Sequence, residues 1–272
     1  MTATAPHESV LSRKKSYWVF GIIGGILLLA GSVFGIDWIN YFYQTGSIYP
    51  AIGKPVITLL AFVIVLLVGK NYIDKRDWWL LFLAFACMLP TDILMSIVPL
   101  DPNLTVGGLV FMIGGVLSII AHLFLIVRVG RGLPYLKHFW KGNLLQKLWL
   151  PVVIYGSAVA VMLILWPDLV RVGHAVIGPI YTAFFCTTMW FSWETVRHKL
   201  YPTPNAWLCA IAATSWYITE ILGEIYNLAL GDISNIMFCL VWVFYGTNVV
   251  LWALSGFRWN EHHEGAKRHA SK

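Results

Sequence analysis

Six ionisable side chains stand inside apolar runs of this chain, where hydrocarbon would be their solvent: Lys54, Asp92, His122, His174, Glu220 and Glu224. At the centre of a membrane helix an ionised group costs at least about 2.5–3.5 kcal/mol, so such residues mark a functional site by default. A carboxyl in these surroundings keeps or exchanges a proton, and an ammonium beside it holds it as a carboxylate. The chemistry on offer is therefore proton transfer or charge pairing. Glu220 and Glu224 lie four residues apart on one helical face, where two anions repel, so one of them is expected to be protonated or paired. Lys54 is the natural partner of Asp92 or Glu220, unless it snorkels to the headgroups. For Glu224 and His174, near helix ends, interfacial solvation is the competing reading; for Asp92 and Glu220 it is a purely structural pairing.

Other polar groups extend this set. Tyr181 and Tyr245 lie too deep for an interfacial belt and can point hydroxyls into a cavity. By helical rise, His122 sits about 25 Å from the outer end of its span, in a deeper layer with Asn248. Direct chemistry between His122 and Glu220 is therefore not expected. Pro55, Pro90 and Pro179 flank the polar residues and can each free a backbone carbonyl and bend a helix.

The elements that must carry these residues follow from composition. The chain has 272 residues, of which 58% are hydrophobic and 12% charged, and a mean hydropathy of +0.72. A soluble domain carries about 25% charged residues, so the expected class is an all-α polytopic membrane protein. Eight apolar runs stand out, at about 17–36, 51–69, 78–98, 105–128, 148–166, 172–193, 206–229 and 233–256. With residues 1–16 in the cytoplasm, every Lys and Arg among the 19 falls on the cytoplasmic side except Arg171 and Lys54, while Asp37, Asp101, Asp168 and Asp232 fall outside. The organisation read from this is a cytoplasmic segment 1–16, a transmembrane domain 17–256 and a cytoplasmic tail 257–272. Both termini lie inside, and the short loops suit a bacterial inner membrane.

Several functions are excluded. The net charge of +6 is dispersed over short loops, with no compact basic domain for nucleic acid. The four cysteines lie in apolar runs without CxxC spacing, so neither a disulfide framework nor a metal site is expected. Glu261-His262-His263-Glu264 reads as a solvated tail. There is no GxSxG elbow, HExxH pair, phosphate loop or last-span lysine, and no cofactor is expected.

An internal echo spaced by 128 residues aligns Thr91-Asp92-Ile93-Leu94 with Thr219-Glu220-Ile221-Leu222, and Trp79-Leu80 with Trp207-Leu208. A four-helix unit repeated in parallel would explain it and would place Asp92 and Glu220 at equal depth; chance alignment of Leu- and Ile-rich helices is the alternative.

The order of motifs resembles the YhhN family of integral membrane proteins, the lysoplasmalogenases. The likeness runs from Gly53-Lys54-Pro55 through Thr91-Asp92-Ile93-Leu94, the Phe111–His122 stretch, Tyr181, and Thr219-Glu220 to Tyr245-Gly246-Thr247-Asn248. The family pattern has Ser-Asp where this chain has Thr219-Glu220, and Gln where it has Asn248. The resemblance implies hydrolysis of the vinyl ether of a lysoplasmalogen, a lysophospholipid, to a fatty aldehyde and a glycerophospho-base. It implies Asp92 and Glu220 as catalytic groups, with Lys54, His122, Tyr181, Glu224, Tyr245 and Asn248 around the substrate. In this scheme Glu220 is the acid, and Asp92 held by Lys54 is the base and oxocarbenium stabiliser. The same carboxylates and bent helices would also suit a proton-coupled transporter of small molecules or lipids, and a homo-oligomer is left open.

Overall fold

The computed structural model describes residues 13–43, 49–68, 72–96, 109–131, 133, 144–171, 173–228 and 232–258. Within them lie eight helices, α1 (Arg13–Tyr43), α2 (Tyr49–Val68), α3 (Lys75–Ser96), α4 (Leu109–Gly130), α5 (Leu144–Arg171), α6 (Ile177–Arg197), α7 (Thr203–Leu228) and α8 (Asp232–Leu254). No strand occurs among the described residues, only one antiparallel bridge between Tyr72 and Phe257. Six helices, α1 to α5 and α7, are long and apolar enough to cross a membrane. The protein is an all-α polytopic membrane protein.

The helices outrun the apolar runs that announce them. Helix α1 continues through Asp37 to Tyr43, and α5 reaches from Leu144 to Arg171. A helix need not stop where hydrocarbon stops, because its backbone stays satisfied in the headgroup layer or in water. Asp37 and Asp168, expected in loops, are thus helical residues. Asp37 is buried and accepts the indole N–H of Trp242 on α8 at 2.5 Å. Pro179 sits in the first turn of α6, where no intrahelical N–H is lost, so it does not bend that helix. Pro55 and Pro90 do fall inside α2 and α3.

Helix α3 packs most extensively against α4, and α7 against α8. Helices α2, α6 and α1 complete the bundle, and α5 lies against α6 and, to a smaller extent, α7. Gly114 permits the close approach of α3 and α4, since a Cβ there would stand 2.7 Å from the Met95 Cγ. The buried face of α3 runs from Asp77 through Leu81, Phe85 and Met88 to Asp92, at spacings of three and four residues. One helix face therefore connects two polar layers about 22 Å apart, 15 residues at 1.5 Å each.

One of those layers is a buried ion pair. Arg128 and Asp77 are both 0% exposed, with Nη2 to Oδ2 at 2.9 Å. Arg128 also donates to Ser255 at 2.8 Å, and the Tyr201 hydroxyl donates to Asp77 at 2.6 Å. Arg131 bonds Asp74 at 2.5 Å and lies 3.7 Å from Asp77. Arg128, expected as a loop cation, is instead a clamp joining α3, α4 and the end of α8. Asn205 at the start of α7 fastens the same end by donating to the carbonyls of Ser255 and Phe257.

Candidate functional site

The second polar layer is built on the other end of the α3 face. Lys54 is placed on α2 next to Pro55, one turn before Thr58. That spacing puts ammonium and hydroxyl on one face, and both reach the Asp92 carboxylate of α3. Lys54 Nζ lies 3.3 Å from Oδ1, and Thr58 donates to Oδ2 at 2.6 Å. The Tyr245 hydroxyl of α8 donates to the same Oδ2 at 2.5 Å and contacts Thr58 Oγ1. The Lys54 ammonium also stands over the Tyr245 ring, 5.3 Å from its centroid. Asp92 thus takes two hydroxyl donors on one oxygen and a cation on the other. Lys54 points inward to an ion pair rather than snorkelling, although its side chain keeps 31% of its exposure.

Glu220, on α7, has different surroundings. It is half-buried, and its Oε1 accepts the indole N–H of Trp216 at 2.7 Å, one turn back on the same helix. Tyr181 of α6 hydrogen-bonds to it as well. Lys54 acts on Glu220 through space, but among the described residues no cation lies in salt-bridge contact with it. Two carboxyls therefore share one chamber in unequal settings, one in an ion pair and one held by neutral donors.

The chamber is a cavity of about 130 Å³. Lys54, Asp92, Tyr181, Glu220 and Tyr245 form its polar end. The rest of its lining is mostly apolar, with Val161, Met162, Leu165 and Leu169 of α5 and Ile177 and Phe185 of α6, and includes Thr91, Ser118 and Thr182. His174, in the α5–α6 connection, lines it too, and burial pushes its imidazole below the usual histidine range.

No family model, curated protein or solved structure matches this chain. The likeness to the YhhN family accordingly rests on the sequence motifs alone.

Of the eight residues expected at the site, Asp92, Glu220, Lys54, Tyr181 and Tyr245 meet in the cavity. His122 and Asn248 lie outside its lining. His122 is 1% exposed and bonds Thr188 Oγ1 through Nδ1 at 3.0 Å. Its ring packs against Trp216 at 4.3 Å and Tyr181 at 5.6 Å between centroids, directly behind two groups that bond Glu220. Asn248 is fully buried and makes no hydrogen bond through either amide atom among the described residues. Glu224 belongs to the backbone of α7, and its side chain lies outside the described residues.

Two site residues escaped the reading from sequence. Thr58 and Trp216 carry no charge and look like ordinary members of apolar helices. Their signal is spacing, since each lies four residues from an ionisable group, Lys54 in one case and Glu220 in the other. As an acid–base apparatus, the arrangement offers a fixed carboxylate, a second carboxyl able to carry a proton, a phenolic hydroxyl on each of them, and a mostly apolar lining around them.

Proposed function

We propose that this protein is a membrane-embedded hydrolase that cleaves the vinyl ether of a lysoplasmalogen, or a related lysolipid ether, to a fatty aldehyde and a glycerophospho-base. The observation that carries the reading is the pairing of two unequal carboxyls, Asp92 and Glu220, in a cavity whose remaining lining is mostly apolar.

A vinyl ether hydrolyses once an acid delivers a proton to its β-carbon. Glu220, without a cation in contact, is the proton donor. The C=C electron pair takes that proton, and the adjacent carbon becomes an oxocarbenium conjugated with the ether oxygen. Asp92, fixed by Lys54, Thr58 and Tyr245, faces this developing positive charge as a carboxylate and takes a proton from the water that attacks it. As the hemiacetal collapses to the aldehyde, its hydroxyl proton goes to the Glu220 carboxylate, and Asp92 hands the proton it took from water to the departing glycerol oxygen. One water is consumed and both carboxyls return to their starting states. The chain of the substrate would lie along α5 and α6, with Lys54 and Tyr181 near the polar linkage. The excess of Lys and Arg in loops on one side supports a bacterial inner membrane with both termini cytoplasmic.

The test is aldehyde release by purified protein from a vinyl-ether lysophospholipid, beside its saturated-ether and ester analogues. Hydrolysis of the vinyl ether alone supports the reading. Lack of release by folded protein, together with pH-driven solute flux in proteoliposomes, would replace the hydrolase with a transporter that uses the same carboxyls.

A further inference from the structure

Trp216 joins two layers of the protein that its sequence keeps apart. Its indole N–H ends on Glu220 Oε1 at 2.7 Å, and its ring lies 4.3 Å from the His122 imidazole at an interplanar angle of 38°. Trp216 is 6% exposed and His122 1%, so neither ring has solvent to turn into. His122 is itself fixed by a proton count. The Thr188 hydroxyl donates to the Phe184 carbonyl at 3.0 Å, so Thr188 Oγ1 accepts from the imidazole. Nδ1 therefore carries the hydrogen and Nε2 a lone pair, and that Nε2 has no hydrogen-bond partner among the described residues. The imidazole is neutral in this arrangement and presents a flat packing face to the indole.

From this geometry we propose that Trp216 is a positioning residue for Glu220, dictating which oxygen of the carboxyl carries the proton, and that His122 holds the indole in the required pose. An oxygen that accepts an N–H is the carbonyl oxygen of a protonated carboxyl, so the acidic hydrogen resides on Oε2. Without the indole N–H the carboxyl keeps only the Tyr181 bond, and the assignment of Oε1 as its carbonyl oxygen is lost. His122 then acts from outside the cavity, through Trp216, and touches no substrate. This inference deepens the proposed acid role of Glu220 and rests on it.

The test uses the full chain in detergent or nanodiscs and two readouts. Infrared spectroscopy at neutral pH identifies the carbonyl stretch of protonated Glu220 as the band lost in Glu220→Gln. Trp216→Phe keeps an aromatic ring on the His122 side while removing the N–H together with part of the indole, and is expected to shift that band to higher frequency, as a carbonyl does on losing a hydrogen bond. His122→Ala keeps the N–H but removes its support, and is expected to broaden the band. With a vinyl-ether lysophospholipid, Trp216→Phe is expected to lower kcat by roughly tenfold or more with KM unchanged, the signature of an interaction made in the transition state alone. An unmoved band in both variants, or no band sensitive to Glu220→Gln, overturns the proposal. A shifted band in protein that releases no aldehyde upholds Trp216 as the residue that orients Glu220 and removes the hydrolase reading instead. Should Trp216→Phe not fold, the His122→Ala band decides the question.

Discussion

Replacing Arg128 by methionine removes one half of an ion pair in which both side chains are 0% exposed. Breaking such a pair costs about 3–5 kcal/mol, because the surviving charge is left without its partner in a medium that solvates it poorly. The structure puts the cost toward the lower end. Asp77 would keep the Tyr201 hydroxyl at 2.6 Å and the Arg131 guanidinium at 3.7 Å. Against that, Ser255 loses its donor at 2.8 Å. A loss of about 3 kcal/mol corresponds to a drop in Tm on the order of 10 °C for a chain of this size. Unfolding is followed by tryptophan fluorescence in detergent, which the 14 tryptophans make sensitive. The double variant Arg128→Met/Asp77→Leu removes both charges and is expected to regain at least half of the loss, since an apolar replacement of a buried pair is often neutral or stabilising. Asp92 stands about 22 Å away along α3, so any activity measured well below the lowered Tm should be retained. A single variant within about 1 kcal/mol of the parent, or a double variant as unstable as the sum of its singles, would refute the view that this pair clamps α3, α4 and α8.

Three further outcomes follow from the same geometry. Lys54→Met takes the cation from Asp92 and should lower turnover roughly 100-fold, a loss of the size seen when a charge-stabilising group is removed from an active site, with Lys54→Arg retaining part of it; steady-state kinetics on the vinyl-ether substrate would show this. Tyr245→Phe deletes a donor to Asp92 Oδ2 and should cost about 1 kcal/mol in thermal unfolding while lowering turnover far more than stability. Asp74 suffers a small burial penalty, but hydrogen bonds from Arg131 and from the Arg76 N–H hold its carboxyl below the usual range. Its contribution is therefore present above the unfolded carboxyl value of about 3.9 and is lost as pH falls through the lower folded value. Asp74→Asn should be slightly less stable at pH 7, by about 1 kcal/mol or less for so exposed a pair, and indistinguishable from the parent in strong acid.

The bundle was legible because hydrocarbon imposes one secondary structure on each apolar run and places Lys and Arg at alternate ends. What hydropathy cannot register is the helix beyond the hydrocarbon, which is why α1 and α5 run further than their apolar stretches. It is equally blind to a charge near a span end that turns inward. Asp37, Asp77 and Arg128 carry ordinary loop-like signals in sequence, and only the partners Trp242, Tyr201 and Ser255, far along the chain, make them interior. Lys54 was legible as a partner for a deep carboxyl because it is the one ammonium inside an apolar run, but the choice between Asp92 and Glu220 is made only by the packing of α2 on α3. The environment of Glu220 was not legible, since depth by helical rise separates it from His122, whereas the Trp216 side chain spans the gap. Thr58 contributes a hydroxyl of the kind that elsewhere merely caps its own helix backbone. Its role appears only when α2 meets α3.

Aldehyde release from a vinyl-ether lysophospholipid by the parent protein, Asp92→Asn, Glu220→Gln and the double variant, run side by side, tests the central claim most directly. The two carboxyls acting as one unit predicts rapid release by the parent, a loss of roughly 1000-fold or more in each single variant, and a double variant no worse than either. Release that survives in either single variant, or none from folded parent protein, would contradict it.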